Sequence, residues 1–417
     1  MSLLRPVNLL ILVLFLVPGQ SSAIELDARL KWFSTASLLP DHDIQRQANG
    51  TPFYDHSMDL RVMARHEAGP VRVIVDHSTV WLHGDTIAAS LGQDSAVNQV
   101  VTDDNLRRWD WTWNVSRGAN HEAVHRLDRL ALMWQPGDWS ITVGRQAVSW
   151  GSGMVFQPMD LFSPFSPTVV DRDYKPGDDL ILIDRLLKNG HDLQALHIVR
   201  NDRDGELSSK AASTAVKWHG FAANLEFEVV AGRHYDEPVY AVSARLPVGQ
   251  ALMRTDLVAS RSSRGEWIYS GILNADVSFV VDDRNGYVFA EYFHNGWGVK
   301  DIGDGVLSLP EDLTDRLERG ELFNLMRDYV AFGVNMEWHP LISQTATVIT
   351  NLHDKSSLLQ VGFSYSPGDN QTVQMGLIEP LGGQGDEFGG IPVLPPGFGD
   401  LTTGGATRIY LRWAYFL

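Results

Sequence analysis

The sequence predicts an all-β chain, a transmembrane antiparallel β-barrel of about 18 strands, with 16 as the next count. Three observations predict it. Segment after segment alternates apolar and polar side chains. Tight-turn signals alternate with longer connections. Thr407 to Leu417 is an aromatic strand, with Ile409, Leu411, Trp413, Tyr415 and Leu417 on one face and Arg408, Tyr410, Arg412, Ala414 and Phe416 on the other. In a soluble fold such an edge invites aggregation. A closed barrel pairs its last strand with its first and turns that face to lipid.

Residues 1–23 read as an export signal that is removed, leaving 24–417 as the barrel. Arg5 is the positive start, Leu9 to Val17 a short apolar run, Pro18-Gly19 a breaker, and Ser21-Ser22-Ala23 the small residues a peptidase needs. An uncleaved anchor helix is the other reading. Removal takes away Arg5 and lowers the net charge of −17 by one. No other apolar run is long enough for a transmembrane helix. The absence of cysteine excludes disulfides and a cysteine-borne lipid anchor, so backbone pairing and packing must supply stability. The acidic balance argues against nucleic acid as a partner. Mean hydropathy of −0.13 suits strands with one greasy and one wet face.

Strand one, Ile24 to Phe33, sets Ile24, Leu26, Ala28, Leu30 and Trp32 against Glu25, Asp27, Arg29 and Lys31. Strand two puts Met58, Leu60, Val62 and Ala64 outward and Asp59, Arg61 and Arg65 inward. Glu67 to Pro70 is a turn. Strand three places Val71, Val73 and Val75 opposite Arg72, Ile74 and Asp76. Further turns fall at Gln135–Asp138, Lys188–Gly190, His219-Gly220, Pro247–Gly249, Asp282–Gly286, His339-Pro340 and Ser366–Asn370. Longer connections cover about 34–56, 84–120, 145–178, 201–210, 232–237, 260–266, 294–327, 351–356 and 379–405. Eight turns and nine connections make 18 strands, an even number that brings both ends to one side. The faces are ambiguous at 123–134 and 179–187, where both carry charge and leucine.

Aromatics form two belts. Trp134, Trp139, Trp218, Phe221, Tyr287, Trp338 and Tyr365 flank the turns, and Trp32, Trp81 and Trp267 lie toward the other strand ends. A bilayer's two interfaces select such belts, because these rings are apolar with a polar tip. Aromatics also favour strands in soluble sandwiches.

No enzyme constellation stands out, and no cofactor is expected. Gly151-Ser-Gly153 lacks nucleophile-elbow spacing, and His191 and His197 make no zinc pair. Asp282 to Gly286 has no downstream Glu for a calcium loop and reads as a turn. The connection 145–178 is the distinctive element, long and rich in Gly and Pro, with charge in its second half. Folded inward, Arg145, Gln146, Asp160, Asp171, Arg172, Asp173 and Lys175 would form a constriction with a local field. Folded outward, its charges would meet water or lipopolysaccharide. Asp171, Asp173, Asp178 and Asp179 could together hold Ca²⁺. Ser308 to Gly320 predicts a short helix.

Gly144-Arg145-Gln146, Ser149-Trp150-Gly151 and Asp160-Leu-Phe-Ser-Pro164 resemble a strand-loop signature of proteobacterial porin-like outer-membrane barrels, with a similar pattern in alginate-export-type barrels. The resemblance spans about 35 residues and implies a diffusion or export channel, with the Arg-Gln pair at the constriction mouth. It carries over no substrate.

The predicted lumen wall is mixed in sign. Arg61, Arg65, Arg72, Arg254, Arg408 and Arg412 share it with Glu226, Glu228 and Glu337, alongside Arg29, Lys31, Asp59, Asp76 and Asp256. Acidic strand one is expected to face basic strand eighteen across the closing seam. The reading is a porin-like outer-membrane channel for small polar solutes, passive or weakly selective. Its partners would be membrane lipid and lipopolysaccharide, with barrel-assembly machinery reading the last strand. A plugged barrel serving as adhesin, assembly factor or export partner is the alternative. A membrane hydrolase built on Ser152 is a third reading.

Overall fold

Each of eighteen strands hydrogen-bonds antiparallel to the next, and the last returns to the first, so the sheet closes on itself. A computed structural model describes residues 24–89, 103–171, 173–395 and 399–417. Residues 1–23, expected to be an export signal, and Arg172 lie outside the described residues. The strands are β1 (Glu25–Leu38), β2 (Phe53–Ala68), β3 (Val71–Gly84), β4 (His121–Trp134), β5 (Trp139–Gln146) and β6 (Asp178–Leu186). They continue with β7 (Asp192–Ile198), β8 (Ser213–Ala222), β9 (Leu225–His234), β10 (Glu237–Val248), β11 (Ala251–Arg261) and β12 (Trp267–Val281). The last six are β13 (Arg284–His294), β14 (Asp328–His339), β15 (Ile342–Asn351), β16 (Ser357–Gly368), β17 (Gln371–Leu381) and β18 (Thr407–Phe416). No helix among the described residues is long and apolar enough to cross a membrane.

The strands form because their alternation gives each face a partner. Leu132, Val143, Val216, Val242, Leu257, Leu273, Phe332 and Ile409 stand exposed on the outer face. Arg29, Arg61, Asp256 and Glu291 are buried on the inner one. Exposed aromatics gather toward the turn end (Trp134, Trp139, Trp218, Phe221, Trp338, Tyr365) and toward the opposite end (Trp81, Tyr240, Trp267, Tyr269, Tyr292). Trp32 departs from this pattern, sitting mid-strand opposite Trp413 and Met58. Tyr287 points inward, where its hydroxyl reaches Met154 Sδ at 3.1 Å.

Two connections differ from expectation. The turn between β8 and β9 is Ala223-Asn224, and His219-Gly220 stays in the strand. Gly220 suggested a turn, but it serves packing there, because a Cβ would lie 2.8 Å from His191 and 2.9 Å from Phe227. The link between β9 and β10 is only Tyr235-Asp236, both left-handed at φ 48° and 63°, so the strands run further than their composition suggests.

The seam also differs in its charges. Glu25 and Asp27 lie beyond the paired stretch of β18, which starts at Arg29 opposite Phe416. Arg412 is met instead by Asp171 and Asp173 from the third long connection.

Inside the barrel that connection, 147–177, builds a core. Trp150, Met159 and Phe162 pack with Leu196, Ile198, Val230 and Val258. Phe156 stacks on Phe293 at 4.5 Å between centroids and leans on Tyr329. A smaller cluster lies on the outer face, where Trp111 and Trp113 cover Val73, Val75 and Leu127. A short strand, Thr112–Arg117, pairs there with the upper half of β4. The register of β3 on β4 shifts beside Asp76, and Arg126, Asp128 and Arg129 are all buried. That bulge accounts for the ambiguous faces of 123–134. The expected short helix is Glu311–Glu318, at the loop end.

Candidate functional site

Connection 147–177 leaves the wall at β5, crosses the inner face and returns at β6. Its first half is held by backbone. Six consecutive N–H groups meet three carboxylates from alternate strands. Gly151 N donates to Glu228 of β9 (3.4 Å), and Ser152 and Gly153 N donate to Asp256 of β11 (2.9 and 3.3 Å). Met154, Val155 and Phe156 N donate to Glu291 of β13 (2.8, 3.0 and 2.8 Å). Asp256 and Glu291 are 0% and 1% exposed, so these bonds balance buried charge. The glycines permit the path. Gly151 has φ +89°, and a Cβ on Gly153 would fall 1.8 Å from the Phe156 carbonyl. Ser152 Oγ donates to Asp256 (2.7 Å) and accepts from Ser243 Oγ (3.1 Å), and no described histidine bonds to it.

The second half is held by ion pairs. Lys175 Nζ donates to Asp160 Oδ1 (2.5 Å), Ser149 Oγ (3.0 Å) and the Val148 carbonyl, so this pair ties the loop to itself. Burial pushes the Asp160 carboxyl up and the Lys175 ammonium down. Asp171 pairs with Lys31, and Asp173 with Arg29 and Arg412. Burial works to raise the Asp171 carboxyl, yet Lys31, Arg412 and Arg29 outweigh it and hold it below the usual carboxylate range. Tyr174 lies under the Arg61 and Arg29 guanidiniums at 4.0 and 4.6 Å.

Arg145 does not join this group. It pairs across the sheet with Leu130 and Asp179, on the face opposite Leu180, which packs in the interior core. Fully buried, it bonds Asp104 (2.8 Å), Asp179 (2.8 Å) and the Trp109 carbonyl (2.6 Å), and it stacks on Trp111. Arg145 and Arg107 hold the Asp104 carboxyl low despite its burial. Gln146 turns its own carbonyl onto Ala147 N at 3.1 Å. The four aspartates considered for Ca²⁺ are separated, since Asp178 pairs with Arg200 and Asp179 with Arg145. Among the described residues no acidic or histidine cluster is placed to hold a metal.

The wall residues divide. Arg61 is buried between Asp76 (2.9 Å) and Asp128 (2.7 Å), and Arg65 also reaches Asp76. Arg254 pairs with Asp276, and Glu226 with Arg245 at 2.5 Å. Arg412 also donates to Gln374 (3.1 Å). Arg72 stays at the turn end with Glu67, and Glu337 accepts from Asn285 (2.6 Å) near another turn. Arg408 sits near Asp55 and Asp43 toward the loop end. Glu291 was missed in the sequence. Its signal is a lone Glu on the inward face of β13, between Phe289 and Phe293.

Two of the spaces beside the loop bear on its role. A charged cleft of about 70 Å³ is lined by Arg29, Lys31, Asp59, Arg61, Arg126, Asp128, Asp171 and Asp173. A wider cavity of about 480 Å³ lies between Val155, Pro167 and Val169 of the loop and the inner faces of β13 to β18. At the loop end, Glu387 of the last long connection accepts from Leu325 N (2.7 Å), Asn351 Nδ2 (2.9 Å) and the Tyr329 hydroxyl, drawing that connection onto 295–327.

No family model matches the chain, and no curated protein matches its sequence. Solved structures share its fold. OccAB4 of Acinetobacter baumannii matches with TM-score 0.53 and 11% identity, over 96% of this chain and 100% of that one. OpdQ of Pseudomonas aeruginosa gives 0.52 and 11%, over 95% and 99%. The Pseudomonas aeruginosa outer membrane protein OpdK gives 0.52 and 10%, over 95% and 98%, and a further OpdK structure contains vanillate. At such identities the likeness is one of fold.

Proposed function

We propose that this chain is an outer-membrane channel through which small polar solutes pass passively or with weak selectivity. One observation carries the reading. A closed barrel with an apolar outer face holds an inward loop that fills one side of its interior and leaves a cavity of about 480 Å³ on the other. An apolar exterior needs lipid, and a barrel leaves no unpaired edge within it. A diffusion path asks only for a wet passage and a tolerable field, so no cofactor or catalytic group is needed. The shared fold with outer membrane protein OpdK supports the same location. In this role Asp171 and Asp173 pin the loop to Arg29, Lys31 and Arg412 of the wall, the Asp160–Lys175 pair ties the loop to itself, and the passage runs through the side left open, with Arg145 acting on structure alone. The export segment and assembly through β18 belong to the same proposal.

Purified protein in planar bilayers should give discrete conductance steps. A second reading, a plugged barrel that binds a partner, is favoured by one feature, the docking of 382–406 onto 295–327 through Glu387. Under it the intact protein is silent and the protein with 382–406 shortened conducts.

A further inference from the structure

The charges of the loop and of the wall beside it are spent in pairs. Lys31 is taken by Asp171, Arg412 by Asp173, Arg254 by Asp276, and Lys175 by Asp160. The wide cavity lies beside these pairs and has a different lining. Its wall side presents hydroxyl and amide groups, with Ser343, Thr345 and Thr347 on β15, flanked by Asn335, Gln360 and Gln374, beside the rings of Phe289 and Tyr410. Its loop side is apolar, with Val155, Val169 and Val170. Among the described residues, no carboxylate, ammonium or guanidinium lines it.

The three hydroxyls follow from strand geometry. Alternate residues of one strand share a face at a spacing of about 7 Å, so β15 presents an inward ladder of hydroxyl groups. Their side chains make no hydrogen bond to another described residue, and Thr345 is exposed to the lumen. Two described cations stand beside the cavity: Arg412 is 4% exposed and committed to Asp173, Asp171 and Gln374, and Arg254, which reaches Met154, is paired with Asp276.

We infer that this cavity passes uncharged, polyhydroxylated small solutes of carbohydrate type, and disfavours ions of either sign. The inference rests on the channel reading above and names its solute class. A neutral polyol trades water hydrogen bonds for those of Ser, Thr, Asn and Gln, while its C–H face meets the valines. An ion must shed part of its hydration where no counter-charge repays it. The valine side chains offer an ion no counter-charge, and the described neighbouring charges are already paired.

The test is solute entry into liposomes carrying the full-length protein, with glucose, gluconate and glucosamine as probes of nearly equal size. Glucose should enter fastest, with both charged analogues slower by about tenfold, the factor that about 1.4 kcal/mol of extra barrier produces. Thr345→Asp should then speed glucosamine and slow gluconate, and Thr345→Lys should do the reverse. Gluconate or glucosamine entering as fast as glucose would overturn the inference while leaving the channel standing. If none of the three enters and planar bilayers stay silent, the channel reading itself falls, and the inference with it.

Discussion

Glu291 accepts from three consecutive backbone N–H groups beside an apolar cluster, with Asn274 as its fourth donor at 3.2 Å. Glu291→Ala leaves those donors without an acceptor, a penalty of about 1–3 kcal/mol for each group that water fails to reach. The expected outcome is a loosened loop, seen in single-channel recordings as larger and noisier current. Glu291→Gln keeps one acceptor oxygen and should fall between. A Glu291→Ala trace identical to the parent's would contradict this role. Glu387 gives a pH prediction. Burial pushes its carboxyl up to about 7 from 4.5. A raised pKa stabilises the docked state fully below about 4.5, and that contribution is lost as pH rises through about 7. Hydrogen-exchange protection of residues 382–390, taken relative to the base-catalysed intrinsic rate, should therefore be high at pH 5 and fall through pH 7. In Glu387→Gln it should lose that dependence, and a flat profile in the parent would sink the assignment.

At the scale of elements, Arg145 ties three pieces together: the end of β5, the start of β6, and the segment around Asp104 to Trp111 on the outer face. Arg145→Ala strands two buried carboxylates, at a cost of about 3–5 kcal/mol. Lys cannot span both in fork geometry, so Arg145→Lys should rescue little. Protease cleavage within 103–111 should accelerate in both variants, and resistance equal to the parent's would contradict the tie. Strand elements were legible in the sequence because lipid and lumen impose a period of two, as in β1 and β14. Position in the wall was less legible. The sequence places Arg145 with the loop, but strand parity turns it to the other face, where a segment remote in sequence supplies Asp104. Glu228 and Asp256 were legible as inward, but their partners were not. A carboxylate awaiting backbone N–H groups has the same sequence signature as one facing water. Tyr235-Asp236 was hidden for a simpler reason, since neither residue advertises a left-handed turn.

At the scale of the molecule, closure, charge pairing and filling act together. The seam between β1 and β18 brings Arg29, Lys31 and Arg412 side by side, and like charges there would repel. Asp171 and Asp173 from the loop, together with Asp59 of β2, offset the repulsion, which ties the inward loop to the closing seam. On the proposed channel reading, the same pairing leaves the cavity, free of charge among the described residues, as the wider passage. Single-channel current in planar bilayers measures this account most directly, comparing the intact protein with one whose residues 155–170 are replaced by a short Gly-Ser linker. Small discrete steps for the intact protein, and markedly larger ones once the loop is shortened, are the predicted result. Silence from both, or identical steps from both, would contradict it.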